Sequence, residues 1–424
     1  MPSVFMCIRC GSEAPSGTEF RCACGGLYEV HHVAKHVSRE TFDARNSTSV
    51  PPYSSGVWRF KELIHPDAAK VVSRPEGNTS IYRRAHLSSY AGVGNLSFKH
   101  EGENPTGSFK DRGMTVAVSE AVRLGASSVA CASTGNTSAS MAAYASQAGL
   151  KGIVFIPEGE IAYGKLSQAL AYGSRVVQVR GNFDDAMKLV EKASRELGLY
   201  LLNSINPWRL EGQKSIMFEL LQQRGWDPPD WVAVPAGNLG NTSAFGKALL
   251  EAKELGFIKR LPRIASIQAE GANPFYRLYK SGASELEAMD PHTVASAIKI
   301  GNPVSWERAI KVIWATNGVV EQVSDGETMD AKAEVDASGV GCEPASAASL
   351  AGVRKLREAG VISAGEDVVC VLTGNLLKDS ENTIKYHMGE LKGINARLAN
   401  RPVSVDPGEG DMMGALRRIV AAER

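Results

Sequence analysis

From about Ser128 the chain alternates short apolar runs with longer amphipathic stretches. "SSVACAS" leads into "ASMAAYASQAG", "GIVFIP" into "YGKLSQALAYG", "SRVVQVRG" into "FDDAMKLVEKASREL", and "DWVAVPAG" into "TSAFGKALLEAKELG". Runs of roughly four to six β-branched or apolar residues without polar alternation suit strands buried on both faces, and the stretches between them are long enough for crossover helices. "RIASIQAEG" and "EDVVCVLTG" continue the series toward the C-terminus. The pattern predicts parallel sheets with helices on both sides. A chain of 424 residues exceeds the length at which one hydrophobic core stops growing, so about two or three domains are expected.

The first 35 residues follow another rule. Cys7-x2-Cys10 is followed after eleven residues by Cys22-x-Cys24-Gly25-Gly26. Thiolate pairs at this spacing reach one tetrahedral ion, and four cysteines leave no position open for substrate, so the metal would be a structural zinc. The alternative is four exposed thiols in a vestigial ribbon. His31 and His32 come next and are read as solvated rather than as ligands. Cys131, Cys342 and Cys370 sit in apolar runs and read as core. The odd total of seven, with four crowded at one end, argues against a disulfide framework.

Charge narrows the partners. A formal net charge of +1 offers no footprint for nucleic acid or an anionic membrane. No segment approaches 18 uninterrupted apolar residues, and "MPSVFMCIRC" has no signal-peptide pattern. A cytoplasmic protein acting on a small molecule is expected.

In parallel sheets ligands collect beyond the carboxyl ends of the strands, and the loops there are rich in Gly, Asn, Ser and Thr. "TGNTSAS", residues 134 to 140, is either an anion-receiving loop or an ordinary capped helix start. "AGNLGNTSAFGKAL" holds Gly237, Asn238, Leu239, Gly240 and Asn241 before a helix. Inward-turned backbone N–H groups there would suit a small monophosphate; nucleotide motifs of the G-x-x-x-x-G-K-[ST] and G-x-G-x-x-G types are absent. Thr373-Gly374-Asn375 ends a buried strand. "NPTGSFKDRG", residues 104 to 113, fixes Lys110 behind a turn and ahead of a helical stretch. One cofactor accounts for all of these: pyridoxal 5'-phosphate needs a lysine for its aldehyde, a cradle for its phosphate and a partner for its ring nitrogen. Lys110, Gly237 to Asn241 and Thr373 supply those three in turn.

"EGENPTGSFKDRGM", "ASTGNTSAS", "NSINPWRLEGQKS", "VPAGNLGNTSAFGKAL", "IGNPVSWERA" and "LTGNLLKD" together resemble, in order, the blocks of the threonine synthase family of fold-type II pyridoxal phosphate enzymes, related to tryptophan synthase β. The likeness covers nearly the whole chain after residue 80, and "NSINPWRLEGQKS" is its most particular block. It departs at "TGNLLKD", where Asn375 and Leu376 stand in place of the common His-Gly.

The resemblance implies an α/β fold of two parallel-sheet domains with a short N-terminal zinc-ribbon-like segment. Residues 1–35 would form the ribbon, 36–91 and 204–424 the large cofactor-binding domain, and 92–203 a small mobile domain. Lys110 would be the cofactor's lysine and the base at Cα. Asn136 would bond its phenolic oxygen, Gly237 to Asn241 its phosphate, and Thr373 its ring nitrogen. Ser133 and Thr137, with Asn203, Ser204 and Arg209, would surround the substrate's carboxylate and phosphate. The implied reaction turns O-phospho-L-homoserine and water into L-threonine and phosphate, in a homodimer. The alternative on the same scaffold is a serine or threonine dehydratase, or a synthase using another phosphorylated amino acid. A retired scaffold that only binds partners is a further reading, which intact Lys110 opposes.

Overall fold

The computed structural model describes residues 3–32, 37–158, 163–181, 183–406 and 409–421. The expected ribbon boundary, at residues 35 and 36, lies outside these.

Three sheets organise the described residues. Strands Val4–Cys7, Glu13–Pro15 and Tyr28–His31 form a small antiparallel sheet with the first strand central. A six-stranded sheet runs in the order Val319–Val323, Arg263–Ala269, Trp231–Pro235, Asp367–Leu372, Asn95–His100, Ile81–Tyr82. All its neighbours are parallel except the last pair. A four-stranded parallel sheet runs Arg175–Val179, Lys151–Pro157, Ser128–Ala132, Tyr200–Leu201.

All six apolar runs named above form strands. Trp231–Pro235 is buried at every position, as a central parallel strand must be. Arg175–Val179 departs from the expectation: it is an edge strand with Arg175, Val177 and Gln178 exposed and Val176 and Val179 only half-buried. The strand Asn95–His100 had no part in the predicted series. It lies in the six-stranded sheet, between Asp367–Leu372 and Ile81–Tyr82, which puts these residues with the large sheet rather than with a unit beginning at 92. Its hydrogen-bonding partner arrives from some 270 positions later in the chain, and no local pattern announces that.

Two helices matter most for the site. Lys110–Arg123 packs against Pro207–Gln223. The second helix starts cleanly because Asn206 accepts from the Trp208 N–H at 3.0 Å and Pro207 occupies the first helical position. Their crossing is close because glycines face backbone: a Cβ on Gly113 would lie 2.7 Å from the Arg209 carbonyl oxygen, and one on Gly212 would meet the Arg112 carbonyl. The stretch 211–221, read from its spacing as core packing, buries Ile216, Met217, Phe218, Leu220 and Leu221. Cys131, Cys342 and Cys370 are buried and unpaired in disulfides.

Candidate active site

Lys110 opens its helix directly after the turn that precedes it. The turn is held by Asp111, whose carboxylate accepts from the Thr106 N–H at 2.7 Å and from the hydroxyls of Thr106 and Ser140, each at 2.6 Å. Backbone bonds tie the same turn to the end of strand Asp367–Leu372: Phe109 N–H donates to the Thr373 carbonyl at 3.0 Å, and Asn375 N–H to Gly107 at 2.9 Å. Lys110 and Thr373 are thereby neighbours although more than 260 positions separate them. The ammonium of Lys110 lies 4.2 Å from the centre of the Phe109 ring. Burial of the charge, reinforced by the Arg209 cation and opposed by Glu343, brings its pKa down to about 7.

Arg209 comes to this amine through the glycine-mediated helix crossing. The residue is 2% exposed. Nη1 donates to the Leu202 carbonyl at 3.1 Å, and Nε has no partner among the described residues. Burial pushes its pKa down to about 10, so it is charged at neutral pH. A buried guanidinium with an unpartnered donor is chemically suited to receive an oxyanion.

The loop Gly237–Asn241 follows the carboxyl end of Trp231–Pro235 and runs into the helix Gly240–Glu254. Leu239 adopts φ 63°, an uncommon left-handed conformation that turns the loop into the helix start. A Cβ on Gly237 would press on Ile298 Cα at 3.0 Å, so the backbone runs against its neighbour. The buried oxygens Asn241 Oδ1 and Gln213 Oε1 lack partners among the described residues. The free N–H groups of the first helical turn are the donors that a phosphate monoester needs, whereas the two orphaned amide oxygens are acceptors and do not serve it. Together with a lysine amine near neutrality, these donors fit pyridoxal phosphate.

At the other sheet, the loop after Ser128–Ala132 carries Ser133, Asn136 and Thr137, all half-buried. Asn203 occupies both ends of its amide on the Ala132 backbone, at 3.0 Å each, and so supports this strand end. Ser204 is half-buried beside it. Asn136 donates to both carboxylate oxygens of Glu343, at 2.9 and 3.2 Å, which links the helix Asn136–Ala148 to the start of the helix Pro344–Glu358. Asn375, where the family pattern has histidine, caps the next turn by accepting from Leu377 N–H at 3.0 Å.

Sequence reading missed Glu343, Ser346 and Lys378. Glu343 was visible only as an acid before a helix-starting proline in "CEPASAA". Lys378 donates to the Thr106 carbonyl at 2.9 Å and to Gln168.

The four ribbon thiols gather within 4.8 Å of one another. Sγ separations of 3.4, 3.5 and 3.6 Å approach the roughly 3.8 Å edge of a tetrahedron with Zn–S bonds of about 2.3 Å. His32 is not solvated as expected: its ring meets Ser3 Oγ at 2.9 Å and Glu211 at 2.8 Å, so it fastens the ribbon to the helix that carries Arg209.

The fold and this constellation define a class: residues 72–374 match the family described as pyridoxal-phosphate dependent enzyme, and the chain belongs to it. Solved structures agree in fold. A fungal L-serine ammonia-lyase from Rhizomucor miehei superposes with a TM-score of 0.65 at 21% identity, covering 76% of this chain and 100% of that one. Maize serine racemase gives 0.64 at 22%, covering 79% and 96%. The sequence relatives are more specific. The threonine synthase of Methanocaldococcus jannaschii is 46% identical over 387 residues, 89% of this chain and 94% of that protein. Threonine synthase 2, chloroplastic, of Arabidopsis thaliana is 41% identical over 433 residues, 96% and 84%. Within the class the chain falls among the threonine synthases.

Proposed function

We propose that the chain converts O-phospho-L-homoserine and water into L-threonine and phosphate, with the site residues in the roles that follow. The observation that carries the reading is a lysine amine near neutrality beside a buried arginine with an unpartnered donor. Lys110 would hold the cofactor's aldehyde, Gly237 to Asn241 its phosphate, Asn136 its phenolic oxygen and Thr373 its ring nitrogen. When bound, the cofactor supplies a ring that withdraws electrons from the substrate's α-carbon.

The rest is work for side chains. The freed Lys110 amine takes the proton from Cα and returns protons along the carbon chain, a task suited to a group poised near the working pH. Arg209 binds the γ-phosphate and neutralises it as the C–O bond at Cγ breaks, while water adds its hydroxyl at Cβ. Ser133, Thr137 and Ser204 offer hydroxyls to the carboxylate end, and Asn203 keeps their strand end in place. The unit around the four-stranded sheet closes over the substrate and keeps out other water.

A phosphate-bearing substrate is favoured over serine or threonine because neither of those would occupy Arg209. No helix among the described residues is long and apolar enough to cross a membrane. The reading includes a cytoplasmic homodimer. It also includes one structural zinc on Cys7, Cys10, Cys22 and Cys24.

Incubation with phosphohomoserine, serine and threonine in turn, with phosphate and ketoacid measured, tests the activity. Phosphate and threonine are expected from the first substrate alone. Ketoacid from serine or threonine at comparable rates would replace this reading with a dehydratase. Lys110→Ala should abolish both turnover and the yellow chromophore.

A further inference from the structure

Glu343 is a carboxylate that the roles above leave unused, yet Asn136, Thr373 and Gly374 all meet it. It precedes Pro344 at the start of the helix Pro344–Glu358 and is 4% exposed. Its oxygens accept two bonds from the Asn136 amide, at 2.9 and 3.2 Å, and Thr373 Oγ1 lies 3.4 Å from Oε1. Ser346, one turn on, meets the Thr373 hydroxyl at 3.0 Å and accepts from the Gly374 N–H at 2.9 Å. The backbone makes room for this side chain: a Cβ on Gly374 would fall 2.9 Å from Glu343 Oε2 and nearer still to the rest of its carboxylate. Glu343 N–H is in turn bonded to the Gly374 carbonyl at 3.1 Å.

One carboxylate therefore contacts both residues assigned to the two polar edges of the cofactor ring. An amide left to itself rotates and flips; one that donates to a fixed carboxylate has its N–H₂ and oxygen ends assigned. The same carboxylate joins the helix starting at Asn136, on the four-stranded sheet, to the helix starting at Pro344, beside the six-stranded sheet. Burial raises its pKa, reinforced by Asp379 and opposed by the Asn136 bond and by the charges of Lys378 and Lys110.

We propose that Glu343 is a positioning residue for the cofactor ring, fixing the Asn136 amide with its N–H₂ end in the orientation that receives the ring's phenolic oxygen. This rests on the assignment of Lys110 and its cofactor above.

The test is cofactor affinity in a double-mutant cycle. Cofactor-free wild type, Glu343→Ala, Glu343→Gln, Asn136→Ala and the Glu343→Ala/Asn136→Ala pair are titrated with pyridoxal 5'-phosphate, following the visible band. Melting of each cofactor-free protein is recorded alongside. Glu343→Ala should raise Kd about tenfold, the scale of one lost hydrogen bond to a charged group. Glu343→Gln keeps one carbonyl oxygen for Asn136 and should stay within about threefold of wild type. In the Asn136→Ala background Glu343→Ala should add little, because a residue acting through another is non-additive with it. Unchanged affinity in Glu343→Ala, or full additivity with Asn136→Ala, would overturn the proposal. So would a loss in Glu343→Gln as large as in Glu343→Ala together with an equal fall in melting temperature, which marks a purely structural residue. If wild type takes up no cofactor, or if Lys110→Ala retains the imine chromophore, the underlying assignment fails instead and the proposal with it.

Discussion

Gly113 is the sharpest mechanical test of how the site is assembled. The change Gly113→Ala adds one methyl between the helices that carry Lys110 and Arg209. That methyl would stand 2.7 Å from the Arg209 carbonyl oxygen and 3.3 Å from its Cα, where ordinary contact begins near 3.4 Å. The neighbour is backbone, so the helices must part by about 0.7 Å, the difference between those two figures. Alanine gains about 1 kcal/mol over glycine in a helix interior. Overpacking costs about 1–3 kcal/mol, which leaves a net destabilisation of about 1 kcal/mol. The larger effect is on rate: misplacing reacting groups by about 1 Å costs about a hundredfold, so a shift of this size should lower kcat/KM at least about tenfold. The control is Gly326→Ala, on the helix Asp325–Ala337, where an added Cβ meets only Ser324 Oγ at 3.9 Å. Phosphate release with phosphohomoserine and thermal melting are read for both. A Gly113→Ala enzyme with wild-type kcat/KM and an equal or higher melting temperature would refute the claim that close backbone contact sets the Lys110–Arg209 distance.

Three further outcomes follow from the site. Arg209→Ala should raise KM for phosphohomoserine about ten- to a hundredfold, the scale of losing a charged hydrogen-bond partner, while cofactor Kd changes by less than about threefold; equal losses would make Arg209 a structural residue. Lys110, depressed from its usual value to about 7, is neutral and nucleophilic above that pH. The rate of chromophore formation on adding cofactor to cofactor-free protein should therefore rise through pH 7 and level off by about pH 8.5; a rate still climbing above pH 9, as for an ordinary lysine, would refute the shift. Purified protein should carry about one zinc per chain, and Cys10→Ser should lower that content and the melting temperature of the ribbon without abolishing the chromophore; metal-free wild type of equal stability would leave the thiols as a vestigial cluster.

Much of the chain was legible in one dimension. The apolar runs at 231–235 and 367–372 declare themselves as buried strands because a strand covered on both faces has no solvent side to make polar. Lys110, the glycine-asparagine turn and Thr373 announce chemistry because each sits where a parallel strand or turn gives way to a helix. The edge strand 175–179 was misjudged for a related reason: its Val-Val pair looks the same whether or not a second helix covers it. His32 was misjudged because a histidine's surroundings are set by tertiary partners, here Ser3 and Glu211.

The sequence alone determined the fold class and the cysteine cluster and singled out Lys110 as the candidate lysine, since these rest on periodicity, spacing and residue chemistry carried within a few turns of chain. Only the tertiary structure decided that the charge of Arg209 acts on Lys110 and that Glu343 contacts Asn136 and Thr373. Both depend on clearances of a few tenths of an ångström at glycines facing a distant backbone or side chain, and such distances are properties of packing that no stretch of sequence holds by itself.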